Sequence, residues 1–251
     1  MTPSLPWHLR EISISSHMRS LGVVFDNALS FAKHIDHIIK SCNFYIRNIG
    51  RIRQILSKKA CEMLVLALVT SSLDYCNSLL NSLSQTHILW LQRIQNTAAH
   101  SICRIKKFEH TSTSLQSLHW VPVVFRPRFK LLCIVFRALR GVGPLYLQEL
   151  ICLYRPTRSL RSESKNLLYV WACRTATYGN RLFTIETAIL WNDLLQEVQD
   201  AENLSSFERL LKTKSFHSAF PQNCRSSMFV VYFNVNIFWI RFASHFRNII
   251  V

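Results

Sequence analysis

The chain has 251 residues, and its 30 lysines and arginines against 14 aspartates and glutamates give a formal net charge of +16. It holds only 5 glycines, where average usage would give roughly 18, which argues against glycine-rich phosphate loops and folds dense in tight turns. The basic excess favours a polyanionic partner over an acidic one. Eight cysteines without a Cys-x-x-Cys pair indicate reduced, buried thiols rather than a zinc site or a disulfide scaffold.

The N-terminal residues predict a small β-hairpin. Residues 12–15 (Ile-Ser-Ile-Ser) alternate apolar and polar side chains with the period of a strand. Leu21–Asp26 form a second short apolar run, which ends at an Asp-Asn turn signal. We therefore expect two short strands to pair within residues 12–26.

Helical periodicity predicts the structure of most of the remaining chain. Apolar side chains recur on one face from Lys33 to Ile49, and Gly50 is expected to end that helix. Further helices are predicted after a cap at Ser57, over residues 86–103, 123–140 and 145–151, and after a Ser205–Glu208 capping box. The predicted fold class is mainly α, a helical bundle with a small N-terminal β-hairpin and an irregular C-terminal tail.

Residues 221–251 form a tail whose composition differs from that of the rest. They include three arginines, no acidic residue and many aromatic and β-branched side chains. The apolar stretch 228–240 is shorter than the roughly 20 residues that a membrane-spanning helix needs. Membrane association through this tail is therefore the weakest of the functional alternatives.

The acidic residues do not form the pattern that metal-dependent catalysis requires. Two-metal polymerases and nucleases need clustered carboxylates, whereas the five aspartates here are scattered and form no Asp-x-Asp pair. His34 and His37 are three residues apart on one predicted helix, but they lack further ligands and are interpreted as solvent-facing. We predict no catalytic residue, no metal site and no resident cofactor.

Acid-free clusters of cations are the strongest functional feature of the residues themselves. Such cations can neutralise the phosphates of RNA or DNA without reading sequence. The alternative is an ordinary solvated helix face. The candidate backbone-contacting residues form two groups, which are Arg47, Arg51, Arg53, Lys58 and Lys59, and Arg126, Arg128 and Lys130.

Several colinear segments resemble LINE-type (non-LTR) retrotransposon reverse transcriptases of the jockey-like kind. LGVVFDNALSF at 21–31, followed by His34-Ile35, resembles their LGV-x-x-D-x-x-L-x-F-x-x-H-I segment. The segments at 73–80 (LDYCNSLL), 91–99 (LQRIQNTAA) and 118–130 (LHWVPV, then Arg126, Phe129 and Lys130) resemble three further motifs of the family. Shorter matches at 158–162, 174–175, 179–181 and 190–192 continue the series, so that the resemblance covers roughly residues 12–220.

The resemblance implies a non-catalytic C-terminal part of an RNA-directed DNA polymerase. The family's fingers and palm, with their Tyr/Phe-x-Asp-Asp site for Mg²⁺, would precede residue 12. Residues 1–31 would then be the remnant of the palm–thumb junction, 32–150 a helical thumb-like region, 151–220 the post-thumb region, and 221–251 an unrelated tail. Its partners would be the template–primer backbone and the missing palm and fingers, in the nucleus or cytoplasm. A basic helical nucleic-acid-binding module with no polymerase role is the alternative.

The chain departs from the family pattern at three positions. Trp171 and Leu195 stand where the family usually has proline. Pro127 falls inside a predicted helix, at a cost of about 3 kcal/mol unless it lies in the first turn.

Overall fold

The computed structural model describes residues 15–81, 83–105, 109–156, 166–175 and 179–221. The described part is mainly helical, with one small antiparallel sheet at its N-terminal end, which confirms the predicted fold class. The tail from residue 222 onward lies outside the described residues.

The N-terminal sheet is a hairpin of β1 (His17–Ser20) and β2 (Val23–Asp26), joined by two residues. Leu21 and Gly22 have φ of 48° and 82°, and two positive φ values are what a two-residue type I′ turn needs. The hydroxyl of Tyr75 donates a hydrogen bond to the Leu21 carbonyl. The prediction placed the first strand too early, since residue 15 precedes the strand and residues 12–14 lie outside the described residues.

Asp26 fixes the junction between the hairpin and the first helix. Its carboxylate accepts hydrogen bonds from the backbone N–H groups of Ala28, Ser30 and Phe31, at 3.0, 2.9 and 2.8 Å. These donors, the Ser30 N–H foremost, hold the pKa of Asp26 below its ordinary value of 3.8. Leu29 and Phe31 have positive φ values of 47° and 58° in this turn, and the Leu29 N–H donates to the backbone carbonyl of Asp26 at 2.9 Å.

Helix α1 (Ala32–Ile52) buries one face, which includes Ile35, Ile38, Cys42, Ile46 and Ile49. The prediction that Gly50 ends this helix is wrong, because the helix continues for two more residues. Gly50 does not have the positive φ of a C-terminal glycine stop, and Arg53 instead caps the helix end with its N–H bonded to the Gly50 carbonyl.

The next helices assemble around α1. Ser57 caps α2 (Lys58–Val65) by accepting from the Ala60 N–H, as predicted, and the chain continues through a π-helical turn (Leu66–Thr70) into α3 (Ser71–Asp74). A short 3₁₀ turn (Asn77–Leu80) leads to α4 (Gln85–Cys103), which is the main packing partner of α1. Helix α5 (Thr111–Ser117) follows and was not predicted.

The described residues after Val124 contain five further α-helices and a 3₁₀ turn at Gly179–Arg181. The helices are α6 (Phe125–Leu139), α7 (Leu145–Leu150), α8 (Phe183–Asn192), α9 (Gln196–Gln199) and α10 (Leu204–Ala219). Pro127 lies in the first turn of α6, where it removes no helical hydrogen bond. The predicted Ser205–Glu208 capping box is wrong, since Asn203 caps α10 through a 2.8 Å bond from the Ser206 N–H.

Two apolar clusters form the core, and α10 connects them. The first lies among α1, α2, α4 and the residues around Trp120, and the second lies among α6, α8, α9 and the start of α10. Phe207 and Leu211 belong to the second cluster, whereas Phe216 and Phe220 belong to the first. Helix α10 therefore links the packing of the two halves.

Candidate nucleic-acid interface

Arg126, one of the candidate phosphate contacts, lies in a buried ion pair. Its Nη1 atom lies 3.0 and 2.9 Å from the two carboxylate oxygens of Asp74, and only 5% of Arg126 is exposed. Its Nε atom donates to the Val121 carbonyl at 3.3 Å. Because a buried charge is costly unless it is paired, this guanidinium stabilises the junction of α3 and α6 and is not available to a phosphate.

Lys130 is partly buried and also bonds within the fold. One turn beyond Arg126 on α6, its ammonium group donates to the backbone carbonyl of Asp74. Burial lowers the pKa of Lys130 below its ordinary 10.5, although Asp74 partly opposes the shift. Arg126 and Lys130 are therefore bonded within the fold, and Arg128 is the one of the three candidate residues on α6 that is exposed.

Further polar contacts around Asp74 and Val121 join segments that resemble separate retrotransposon motifs. Asn77 donates from Nδ2 to Asp74 at 3.2 Å. On α4, Gln95 donates to the Val121 carbonyl at 3.0 Å, and Gln92 accepts from the Val123 N–H at 2.9 Å. The LDYCNSLL, LQRIQNTAA and LHWVPV segments are therefore linked, in part through Arg126, by side-chain hydrogen bonds that are buried or partly buried.

Arg53 holds the C-terminal end of α4. Its Nε and Nη2 atoms donate to the carbonyls of Ser101 and Ile102 at 2.7 and 2.8 Å, and its Nη1 donates to Leu56 at 2.8 Å. Arg104 reciprocates by donating to the Arg53 carbonyl at 3.1 Å. The last carbonyl groups of a helix have no partner within the helix, and a cation there satisfies them. Arg53 is therefore a structural capping residue, and its guanidinium donors are already bonded within the protein.

The remaining candidates on α1 belong to a longer exposed stripe. Positions spaced by three or four residues lie on one side of a helix. The α1 stripe consists of six exposed residues at this spacing, which are Lys33, His37, Lys40, Phe44, Arg47 and Arg51. It runs opposite the buried face and spans about 27 Å along the helix axis at about 1.5 Å per residue.

The electrostatic setting of the α1 stripe favours an anion along most of its length. Asp36 is exposed beside its N-terminal end, and the chain then has no acidic residue until Glu62. Lys33 donates to His17 of the hairpin at 2.8 Å, while Arg51 lies 3.4 Å from the side-chain oxygen of Asn48. Lys40 and Arg47 lie between these ends, so the middle of the stripe presents cations to solvent.

Three other candidates lie at the edges of this surface or away from it. Lys58 and Lys59 are exposed and begin α2, which five residues separate from the end of α1. Arg128 is exposed on α6 and lines a cavity of about 340 Å³, together with Asn77, Asn81 and Glu186. Lys58 and Lys59 therefore follow the end of the α1 stripe along the chain, whereas Arg128 lies at a cavity that no α1 residue lines.

The two histidines of α1 lie in opposite environments. His37 is exposed on the stripe, but His34 is 3% exposed, and neither ring nitrogen has a hydrogen-bond partner among the described residues. Burial, and then the charges of His37 and Arg19, lower the pKa of His34 below 6.5. The prediction that both histidines face solvent is therefore wrong for His34.

The described residues contain no group of three or more histidine, cysteine or acidic side chains placed to hold a metal ion. Within the same residues, no helix is long and apolar enough to cross a membrane. The seven described cysteines are all unpaired, and Cys42, Cys61 and Cys133 are buried as predicted, whereas Cys152 and Cys173 are exposed.

Sequence reasoning missed Lys33, Lys40 and Phe44 as members of the surface. The apolar residues of α1 were analysed by helical spacing, but the cations were grouped by proximity in the sequence. Applying the same spacing to the polar face would have found the stripe and separated Arg53 from it.

No family model, no curated protein and no solved structure matches this chain.

Proposed function

We propose that the chain is a non-catalytic C-terminal part of a LINE-type retrotransposon reverse transcriptase. In this proposal it contacts the phosphate backbone of a template–primer through the α1 stripe, with Lys58 and Lys59 extending the contact. The observation that carries the contact is the stripe itself, which presents Lys40, Arg47 and Arg51 on one exposed helix face. The family assignment rests on the colinear sequence motifs.

A basic helical nucleic-acid-binding module without a polymerase role is the second candidate. It is supported by the same cations, because phosphate binding requires no neighbouring palm domain. The two candidates differ in the encoding gene. A reading frame upstream of codon 1 with a fingers–palm region and a Tyr/Phe-x-Asp-Asp motif supports the first, and a transcript without one supports the second. Either would act in the nucleus or cytoplasm, where RNA and DNA are available.

The backbone contact is tested by removing three stripe cations together. Lys40→Ala/Arg47→Ala/Arg51→Ala should weaken binding to unrelated sequences about equally, because phosphates carry no sequence information. Each lost phosphate contact should also make the salt dependence of duplex DNA affinity shallower by about 0.9 in log–log slope. Fluorescence anisotropy over a series of salt concentrations measures both quantities.

A matched control removes the same charge elsewhere. Arg155, Arg174 and Arg209 are exposed and lie outside α1, in the C-terminal half of the chain. Their triple alanine variant should keep most of the parent's affinity and slope. Equal losses in both triple variants, with both proteins folded by circular dichroism, would mean that net charge alone attracts the nucleic acid and that the stripe is a solvated face.

A further inference from the structure

Phe44 is an apolar residue in the middle of the α1 stripe. It is 59% exposed, although an aromatic side chain contributes nothing to a purely solvated cationic face. The ring of Tyr45 meets it edge to face, with centroids 5.6 Å apart and an interplanar angle of 70°. This contact uses one side of Phe44 and leaves more than half of the side chain open to solvent.

The neighbours of Phe44 on the stripe are cations. Lys40 precedes it by one helical turn and Arg47 follows it by about one turn, and both are exposed. A flat ring between cations is the combination found where proteins bind unpaired nucleic acid, since bases stack on aromatic rings while cations neutralise the adjoining phosphates. A duplex offers the same phosphates, but its bases are already stacked inside the helix.

We propose that the α1 stripe binds single-stranded nucleic acid in preference to duplex, by stacking an unpaired base on Phe44. This inference rests on the proposed function, because the phosphates must first lie along the stripe. It specifies the partner as a single, unpaired strand of nucleic acid. The stripe cations supply affinity for any strand, and Phe44 supplies the discrimination between unpaired and paired strands.

The test compares a single-stranded oligonucleotide carrying 2-aminopurine with the same oligonucleotide annealed to its complement. Phe44→Ala should lower affinity for the single strand by about 5- to 100-fold and abolish the change in 2-aminopurine fluorescence on binding, while affinity for the duplex stays unchanged. Phe44→Tyr should retain the parent's preference, because tyrosine keeps a stacking face. Tyr146 on α7 is similarly exposed, at 56%, so Tyr146→Ala is the matched aromatic control and should change neither affinity.

The outcomes separate this inference from the proposed function. If Phe44→Ala binds both probes as the parent does, or weakens both equally, stacking is refuted while the backbone contact stands. If the parent binds neither probe with a salt-dependent affinity, the proposed function fails and the stacking inference fails with it. Because Phe44 is exposed, the alanine variant should fold, and a circular dichroism melt of each variant confirms that the compared proteins are folded.

Discussion

At the residue scale, a positive charge does not by itself determine whether a side chain faces solvent. Arg126 and Arg128 are two residues apart on α6, yet the first is buried against Asp74 and the second is exposed. The difference comes from a partner 52 residues earlier in the chain. Helical spacing can show that the two side chains point in different directions, but only tertiary packing shows which direction holds a carboxylate.

Arg53 is another cation whose partners could not be predicted from the sequence. From the sequence it belongs to an acid-free run of cations, but in the fold three of its nitrogen atoms bond carbonyls, two of them at the end of α4. A substitution set that contained Arg53 would therefore change stability and binding together. For that reason the triple variant includes Lys40 and leaves Arg53 unchanged.

His34 predicts a pH dependence of stability. Its pKa is lowered in the folded chain, so between the folded value and the ordinary 6.5 the unfolded chain binds a proton that the folded chain does not. The free energy of unfolding should therefore fall as pH drops below about 6.5, at up to about 1.4 kcal/mol per pH unit for this one group. Above that window both states are neutral at His34 and the contribution disappears.

Urea unfolding at a series of pH values measures this dependence. His34→Leu should flatten the slope between pH 7 and the folded pKa, because the variant has no group to titrate there. His110→Gln is the control, since His110 is exposed and is not among the groups that shift the pKa of His34. Identical pH slopes for the parent and His34→Leu would show that the buried imidazole does not resist protonation.

At the element scale, apolar periodicity predicted the long helices. It did not predict a helix end that hydrogen bonds and packing determine, nor helices without a distinct apolar face. Helix α1 was found from its isoleucines, but its predicted end at Gly50 was wrong because Ile49 continues the buried face and Arg53 anchors the next turn. Helix α8 was missed because it is apolar around most of its circumference, so no face stands out. The short helices α5 and α9 have too few turns to show a period.

Gly50 and Gly22 predict opposite effects of the same substitution. An added Cβ at Gly50 meets no heavy atom within 4 Å, and the residue is inside a helix, so Gly50→Ala should stabilise the chain by about 0.5–1 kcal/mol. Gly22 has φ of 82° and faces the Tyr75 ring, so Gly22→Ala should destabilise it by about 1–2 kcal/mol. Urea midpoints measure both changes. A destabilised Gly50→Ala would mean that α1 ends before residue 50, as the sequence alone suggested.

At the scale of the whole molecule, the four longer segments that resemble retrotransposon motifs lie at two places in the fold. Those at 73–80, 91–99 and 118–130 meet in buried polar contacts among α3, α4 and α6, and the 21–31 motif joins the hairpin to α1 through Asp26. These residues specify the fold. The surface that we propose for nucleic acid lies mostly outside the motifs, on the exposed face of α1, which explains why motif matching did not identify it.

The central claim is that a nucleic-acid backbone lies along the α1 stripe. Chemical footprinting tests it most directly, with an arginine-specific reagent applied to the free protein and to its complex with an oligonucleotide, and with modification at each arginine quantified by mass spectrometry. We predict that Arg47 and Arg51 become protected in the complex, while the exposed Arg155, Arg174 and Arg209 react at the same rate in both states. Unchanged reactivity of Arg47 and Arg51 in a saturated complex would contradict the account.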